Sequence, residues 1–416
     1  MVKSIFRQKI LSPVMLAGTV LIGFSVPISV ALDNLLLALV LVGALFHLPA
    51  IWQIARHHPV ARAALLLFLM LLAGTLYGAT PLREAMGILG KYADLAFIPI
   101  FMLLLHGTAR RWGQYAFFTA MGITLLLSYL VGLHILPAQH WMQAWASPEN
   151  PAIFHSHITQ NNMMAFVVFL ALLNLRDVAS LRARLGWGVF ALLATINVLF
   201  MVQGRTGYVV LSILLAWFVW STLRGYLHSR GKTWGWQQGL GVVLALAGLV
   251  MAAYYASPRL HERVNLVGAE YQAWQPNHGR DTSTGQRLDF YYNTLQIVQQ
   301  QPLFGVGTGG FPAAFAQQVA GTDVLLTQNP HNEYLMIAVQ TGVIGLALLL
   351  YLFYTLWRTT LRLPTAFEQD AGRGLVLAYM VNCSLNSALL DHADGLLFSF
   401  MAAVLFANLK TEAKRD

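Results

Sequence analysis

Apolar runs of about 17 to 25 residues recur along nearly the whole chain, each long enough to cross a hydrocarbon core of about 30 Å as a helix. The runs are apolar on every face, as in Leu35 to Phe46 and Leu346 to Phe353. A transmembrane barrel would instead alternate polar and apolar residues over about ten positions. Of the 416 residues 57% are hydrophobic and only 10% are charged, too few charges to cover a soluble globule of this size. The expected fold is an all-α polytopic membrane protein of about twelve transmembrane helices. Their centres fall near residues 21, 43, 71, 97, 124, 168, 195, 215, 247, 346, 382 and 402. The chain then divides into residues 1–256 with helices one to nine, a large outer loop over 257–331, and residues 332–416 with helices ten to twelve.

The basic residues set the orientation. With the N-terminus inside, 19 of the 26 lysines and arginines fall in cytoplasmic segments, as the positive-inside rule requires. Both termini are therefore expected in the cytoplasm. The net charge of +9 is scattered one to three residues at a time between apolar runs, so it marks topology and not nucleic acid. Lys3, Arg7 and Lys9 before an apolar stretch resemble a signal peptide, but about twenty apolar residues favour an uncleaved first helix. The single cysteine, Cys383, excludes a disulfide framework, so the outer loop must fold on packing alone.

Topology leaves seven basic residues unexplained: Arg83, Lys91, Arg205, Arg259, Arg263, Arg280 and Arg287, all outside or near outer helix ends. Arg205 lies in a short outer turn, Gln203 to Gly207, between two long apolar helices. A guanidinium there calls for an anion, and a phosphate or diphosphate suits its planar fork; snorkelling or an ion pair with an outer carboxylate is the alternative. Arg287 opens a loop helix whose Leu288, Tyr291, Tyr292, Leu295 and Val298 share one face at 3.6-residue spacing. Its charge opposes the helix dipole there, so a local anion would account for it, although a solvated loop charge would also serve. His331 stands where the loop enters the tenth helix, a position suited to a general base with a pKa near about 6.5 or to an interfacial helix cap. Arg83 and Lys91 could extend a basic surface toward a phosphorylated substrate or pair with Glu84 or Asp94.

Other groups carry less. Gly305, Gly307 and Gly309 lack the strand and helix of a dinucleotide site and read as a tight turn that lets a bulky substrate approach. Asp391, His392 and Asp394 read as a solvated turn and not a metal site, His155 and His157 as loop polar groups, and Asn161 and Asn162 as helix caps. No nucleophile sits in a recognisable setting. Outer arginines with one interfacial histidine fit chemistry on a phosphate-bearing lipid, the arginines stabilising a departing diphosphate and the histidine activating a hydroxyl. A transporter of lipid-linked anions is the competing class, but no half-to-half similarity or midplane charge supports it.

Three motifs carry a resemblance: Gly204-Arg205-Thr206-Gly207; Arg287-Leu288 with Gln301-Pro302-Leu303-Phe304-Gly305-Val306-Gly307 after it; and His331-Asn332-Glu333-Tyr334-Leu335. In order and spacing they resemble the O-antigen ligase and polymerase family of polytopic glycosyltransferases. The resemblance implies a GT-C-like membrane fold in the bacterial inner membrane, with its active site in the periplasm. It implies an undecaprenyl diphosphate-linked polysaccharide as donor, no cofactor and no metal, and inversion at the anomeric centre. By motif match Arg205 and Arg287 would hold the diphosphate and His331 would act as base or acceptor-orienting group; Arg83 and Lys91 match no motif and are donor-binding candidates by their charge alone. Relatives act as ligases onto lipid A-core oligosaccharide, as polymerases, or as pilin glycosylators; length, helix count and the single late outer loop favour the ligase.

Overall fold

The structure is a computed structural model that describes residues 13–231, 258–276 and 282–409, with isolated positions between 235 and 255. Among the described residues the chain is helical, and its only extended pairing is a single bridge between Ser147 and Asn150. The helices are α1 (Pro13–Ser25), α2 (Val30–Ala44), α3 (Leu48–His57), α4 (Pro59–Tyr77), α5 (Leu82–Lys91), α6 (Asp94–Leu104), α7 (Thr108–Gly132) and α8 (His157–Asp177). They continue as α9 (Leu181–Ile196), α10 (Arg205–Ser229), α11 (Pro258–Ala273), α12 (Ser283–Gln300), α13 (Phe311–Gln318), α14 (Glu333–Thr359), α15 (Ala366–Leu385) and α16 (His392–Phe406).

Seven helices among the described residues are long and apolar enough to cross a membrane, or eight if the α5–α6 pair, bent by 41°, is one span. The sequence count of twelve exceeds this for identifiable reasons. The helix expected at 247 lies outside the described residues, as do the terminal charges Lys3, Arg7, Lys9, Lys410, Lys414 and Arg415. The other eleven centres all fall within helices. Of these, α1 and α16 are 13 and 15 residues long, short of the roughly twenty that a bilayer core requires. The first two turns of α15 carry Glu368, Asp370 and Arg373.

Helix α8 packs between α9, α10 and α15 and is buried along most of its length. Every residue of α16 from Ala393 to Phe406 is buried, so protein and not lipid surrounds it, packed against α6 and α15. Helix α14 lies against α4, α15 and α12 and is broken at Gly342, whose φ of 65° and ψ of −162° are non-helical. The glycine-rich segment docks into that break. Val306 N–H donates to Val339 O, Gly307 N–H to Gln340 O and Val343 N–H to Pro302 O.

This docking corrects the reading of the glycines as a surface for a bulky substrate. A Cβ on Gly305, at φ 67°, would lie 2.2 Å from Val339 O, and one on Gly342 would lie 2.1 Å from Leu303 O. Both positions need the left-handed region and close backbone approach, and what approaches is the chain itself. The exposed carbonyls and amides of a broken helix are thereby satisfied.

Helix α12 ends at Gln300, as Gln301 and Pro302 predict, with Thr282 as its N-cap. Its packed stripe is different from the one expected: Asp289, Phe290, Asn293, Thr294 and Ile297 are buried, while Leu295 is exposed. Polar groups win that face because they find partners. Asp289 accepts from Trp274 Nε1 at 2.9 Å and Asn293 donates to Asp289 O at 2.9 Å. The half-exposed Tyr291 is left for a different use.

Candidate active site

Arg205 is the first residue of α10, and the turn before it is fixed by α8. Asn161, fully buried, donates its side-chain amide to Gly204 O at 2.9 Å and to Val198 O at 3.3 Å. A Cβ on Gly204 would lie 2.5 Å from His157 O, and one on Gly207 would lie 2.8 Å from the Asn161 side chain. The two glycines therefore let α8 press against the turn, and Asn161 clamps it; it is not a helix cap, a role Ser156 fills. Thr206 accepts from Asn386 Nδ2 at 3.1 Å. Just upstream, Asn197–Met201 forms a π-turn, a device that re-aims a helix end. The result is an exposed Arg205 side chain on a rigid base.

The His331-Asn332-Glu333 motif works as one presented group on two anchors. Asn332 caps α14 through Leu335 N and donates to Ser384 O at 2.9 Å. Glu333 is fully buried; one carboxylate oxygen accepts from Tyr92 OH at 2.7 Å, and the other from the backbone of Leu389 at 2.8 Å and Leu390 at 3.2 Å. His331, between loop and helix, has a φ of 52°, a left-handed conformation uncommon for a side-chain-bearing residue. Its N–H donates to Asn329 Oδ1 at 2.8 Å. Its ring stacks on Phe290 with centroids 6.1 Å apart, and its carbonyl accepts from Tyr291 OH at 3.1 Å.

Arg287, Phe290 and Tyr291 lie within one turn of α12, so a single helix faces both His331 and the cavity. That cavity, of about 520 Å³, is lined by Arg205 and Arg287, with Asn150, His157, Gln203, Thr206 and Ser283 adding polar groups and Glu262 and Leu266 of α11 forming one wall. Among the described residues neither guanidinium has a carboxylate within ion-pair distance. Burial pushes the Arg287 pKa down and the positive field of Arg205 adds to this. Burial likewise lowers the His331 pKa, and the Arg287 cation lowers it further. A neutral imidazole beside the Arg287 cation can accept a proton while Arg287 and Arg205 together hold a polyanion.

Three of the residues singled out in the sequence are thus neighbours, with His331 beyond Arg287 and outside the cavity lining. Arg83 and Lys91 are exposed on α5, are not part of that lining and, among the described residues, make no ion pair with Glu84 or Asp94. Arg280 lies outside the described residues, as do the side chains of Arg259 and Arg263. Sequence reasoning took Tyr291 as part of an apolar stripe, His157 as a loop polar group and Gln203 as part of a turn, and it did not single out Glu262. Only Tyr291 left a signal, one turn after Arg287 on the same helix.

The last turn is not solvated throughout, as its sequence suggests. Asp391 caps α16, but Asp394 is buried, near Thr159 Oγ1 at 3.4 Å. His155 is buried too, its Nε2 2.7 Å from Val26 O, and burial lowers its pKa. Among the described residues no group of three His, Cys, Asp or Glu side chains is arranged to hold a metal ion.

Residues 189–350, a stretch that includes Arg205, Arg287 and His331, match the family described as O-antigen ligase. Over this segment, which is less than half of its length, the chain is similar to the O-antigen ligase family. Members of that family are glycosyl-transfer enzymes, ligases and polymerases. The chain is also similar to an uncharacterized protein of Haemophilus influenzae, 26% identical over 119 residues, which are 27% of this chain and 30% of that protein. The match thus spans less than a third of the relative's length.

Proposed function

We propose that the chain transfers preassembled O-antigen polysaccharide from undecaprenyl diphosphate to lipid A-core oligosaccharide, at the periplasmic face of the bacterial inner membrane. The observation that carries this reading is the convergence of Arg205 and Arg287 on one cavity, with the field of Arg287 reaching His331. An acceptor hydroxyl oxygen attacks the anomeric carbon and its proton passes to His331. The bond from that carbon to the diphosphate oxygen breaks, with inversion, and undecaprenyl diphosphate leaves. The leaving group gains negative charge, which two fixed guanidinium groups stabilise as pre-set cations in a partly buried site. In this reading residues 257–331 form the periplasmic loop over the cavity, both termini are cytoplasmic, and Arg83 and Lys91 serve the approach of the donor and not its reacting end.

The test is reconstitution of the purified full-length protein with a polyprenyl diphosphate-linked polysaccharide and lipid A-core, with and without chelator. Polysaccharide on lipid A-core, undiminished by EDTA, is the expected result. Chain growth on the polyprenyl lipid alone would make the enzyme a polymerase. Activity abolished by EDTA and restored by a divalent ion would overturn the metal-free mechanism.

A further inference from the structure

Helix α10 carries Arg205 at its first residue and Arg224 19 residues later, about 28 Å along the axis at 1.5 Å per residue. With α10 spanning the membrane, as the proposed function has it, its far end lies at the face opposite the candidate active site. A second cavity opens there, of about 790 Å³, between the C-terminal half of α10 and the first turns of α15. Arg224, His228, Arg373, Trp217 and Trp220 line it, together with Asp370.

The charges in this corner do not balance. Glu368 is paired with Arg110, and Asp370 with Arg176 at 2.8 Å. Each carboxylate at the start of α15 thus already has its own arginine, contributed by α7 and α8. Arg224 and Arg373 have no carboxylate within ion-pair distance among the described residues. Arg373 is nevertheless held in place. Its guanidinium lies 5.5 Å from the ring centroid of Trp217 and 5.7 Å from that of Trp357, and Nε donates to Thr360 Oγ1 at 3.2 Å. Stacking between indoles and one hydrogen bond fix the plane of the fork and leave its terminal nitrogens without an acidic partner. The indole N–H of Trp217 is buried and makes no hydrogen bond.

A topology signal needs only a basic side chain free to snorkel. An oriented guanidinium beside a second arginine, in a cavity walled by tryptophan, is the arrangement that takes a phosphate group with apolar matter attached. We propose that this cleft binds a phosphate-bearing anion at the face opposite the active site, through Arg224 and Arg373. Trp217 and Trp220 form the apolar wall against which the rest of an anionic lipid would lie; a soluble phosphate would use the same two arginines.

Binding of dioleoyl phosphatidylglycerol to the purified full-length protein, read by native mass spectrometry and by the thermal midpoint in nanodiscs, tests this. Phosphatidylcholine nanodiscs with and without added inorganic phosphate form the second arm. The expected result is a stabilising phosphatidylglycerol adduct, weakened about tenfold or more in Arg224→Gln, abolished in Arg224→Gln/Arg373→Gln, and kept in Arg205→Gln. An equal effect of inorganic phosphate in phosphatidylcholine, lost in the same variants, would uphold the site and make its ligand a soluble phosphate. Arg224 is exposed, so its single variant reads binding even if the double variant misfolds. No adduct with either probe, or adducts unchanged in Arg224→Gln, would overturn the proposal.

Discussion

The hydroxyl of Tyr291 donates to the main-chain carbonyl of His331 at 3.1 Å. The same helix carries Arg287 one turn earlier, so one hydrogen bond ties the arginine helix to the histidine's backbone. Tyr291→Phe removes that bond together with the hydroxyl's contacts to Ser384 O at 3.5 Å and to Asn332. The expected outcome is a loss of about 1 kcal/mol in positioning, seen as a roughly five- to tenfold fall in kcat at nearly constant donor KM. A change confined to KM would show that Tyr291 binds the donor and does not position His331.

His331 sits in the left-handed region at φ 52°, which asparagine tolerates far better than alanine. His331→Asn should therefore reach the membrane in wild-type amount and melt within a few degrees of it, while transfer falls by about 100-fold or more, the usual contribution of a general base. Loss of the long lipopolysaccharide ladder in cells with protein still present is the matching readout. An unchanged ladder would remove His331 from the mechanism.

The pH dependence follows from the two causes that act on His331. Burial and the Arg287 cation both lower its pKa below the usual 6.5. In the proposed mechanism His331 acts as base when neutral, so kcat/KM should hold as pH falls through 6.5 and decline only as pH passes the lowered value. Removing the neighbouring cation in Arg287→Gln raises the pKa, so the acid limb should move to higher pH, apart from any loss of donor binding. Profiles between about pH 5 and 8 decide this; a limb that stays in place or moves to lower pH would mean that the two side chains are not electrically coupled.

Gly342→Ala tests the broken helix. The added Cβ would meet Leu303 O at 2.1 Å, a backbone atom that cannot swing aside, and the positive φ adds strain. The expected cost is about 3 kcal/mol or more, read as a lower thermal midpoint and reduced membrane accumulation. Wild-type behaviour would show that residues 302–307 do not seat in the break.

The membrane helices were legible because hydrophobicity over twenty residues is a local property, and the odd arginines because charge bias is read one residue at a time. The three motifs were legible as unexplained residues, but their division of labour was not. Asn161 reads as a cap until α8 is seen pressing it against Gly204, 43 residues away. Glu333 reads as one more polar residue until Tyr92, 241 residues earlier, is seen donating to it. The packed face of α12 was misread because apolar spacing assumes an apolar partner, whereas Trp274 donates to Asp289 and Asn293 donates back to the Asp289 carbonyl of its own helix.

What the sequence determined by itself was a helical membrane chain with several basic residues that topology could not use, since burial in lipid and charge at a membrane face depend on short stretches alone. The tertiary structure decided that Arg205 and Arg287 share one cavity with His331 beside them, while Arg83 and Lys91 stand apart. It also decided that the glycine segment fills a helix break. These outcomes depend on which helices pack together and where their backbones approach, and a chain fixes that only through contacts between residues far apart in sequence.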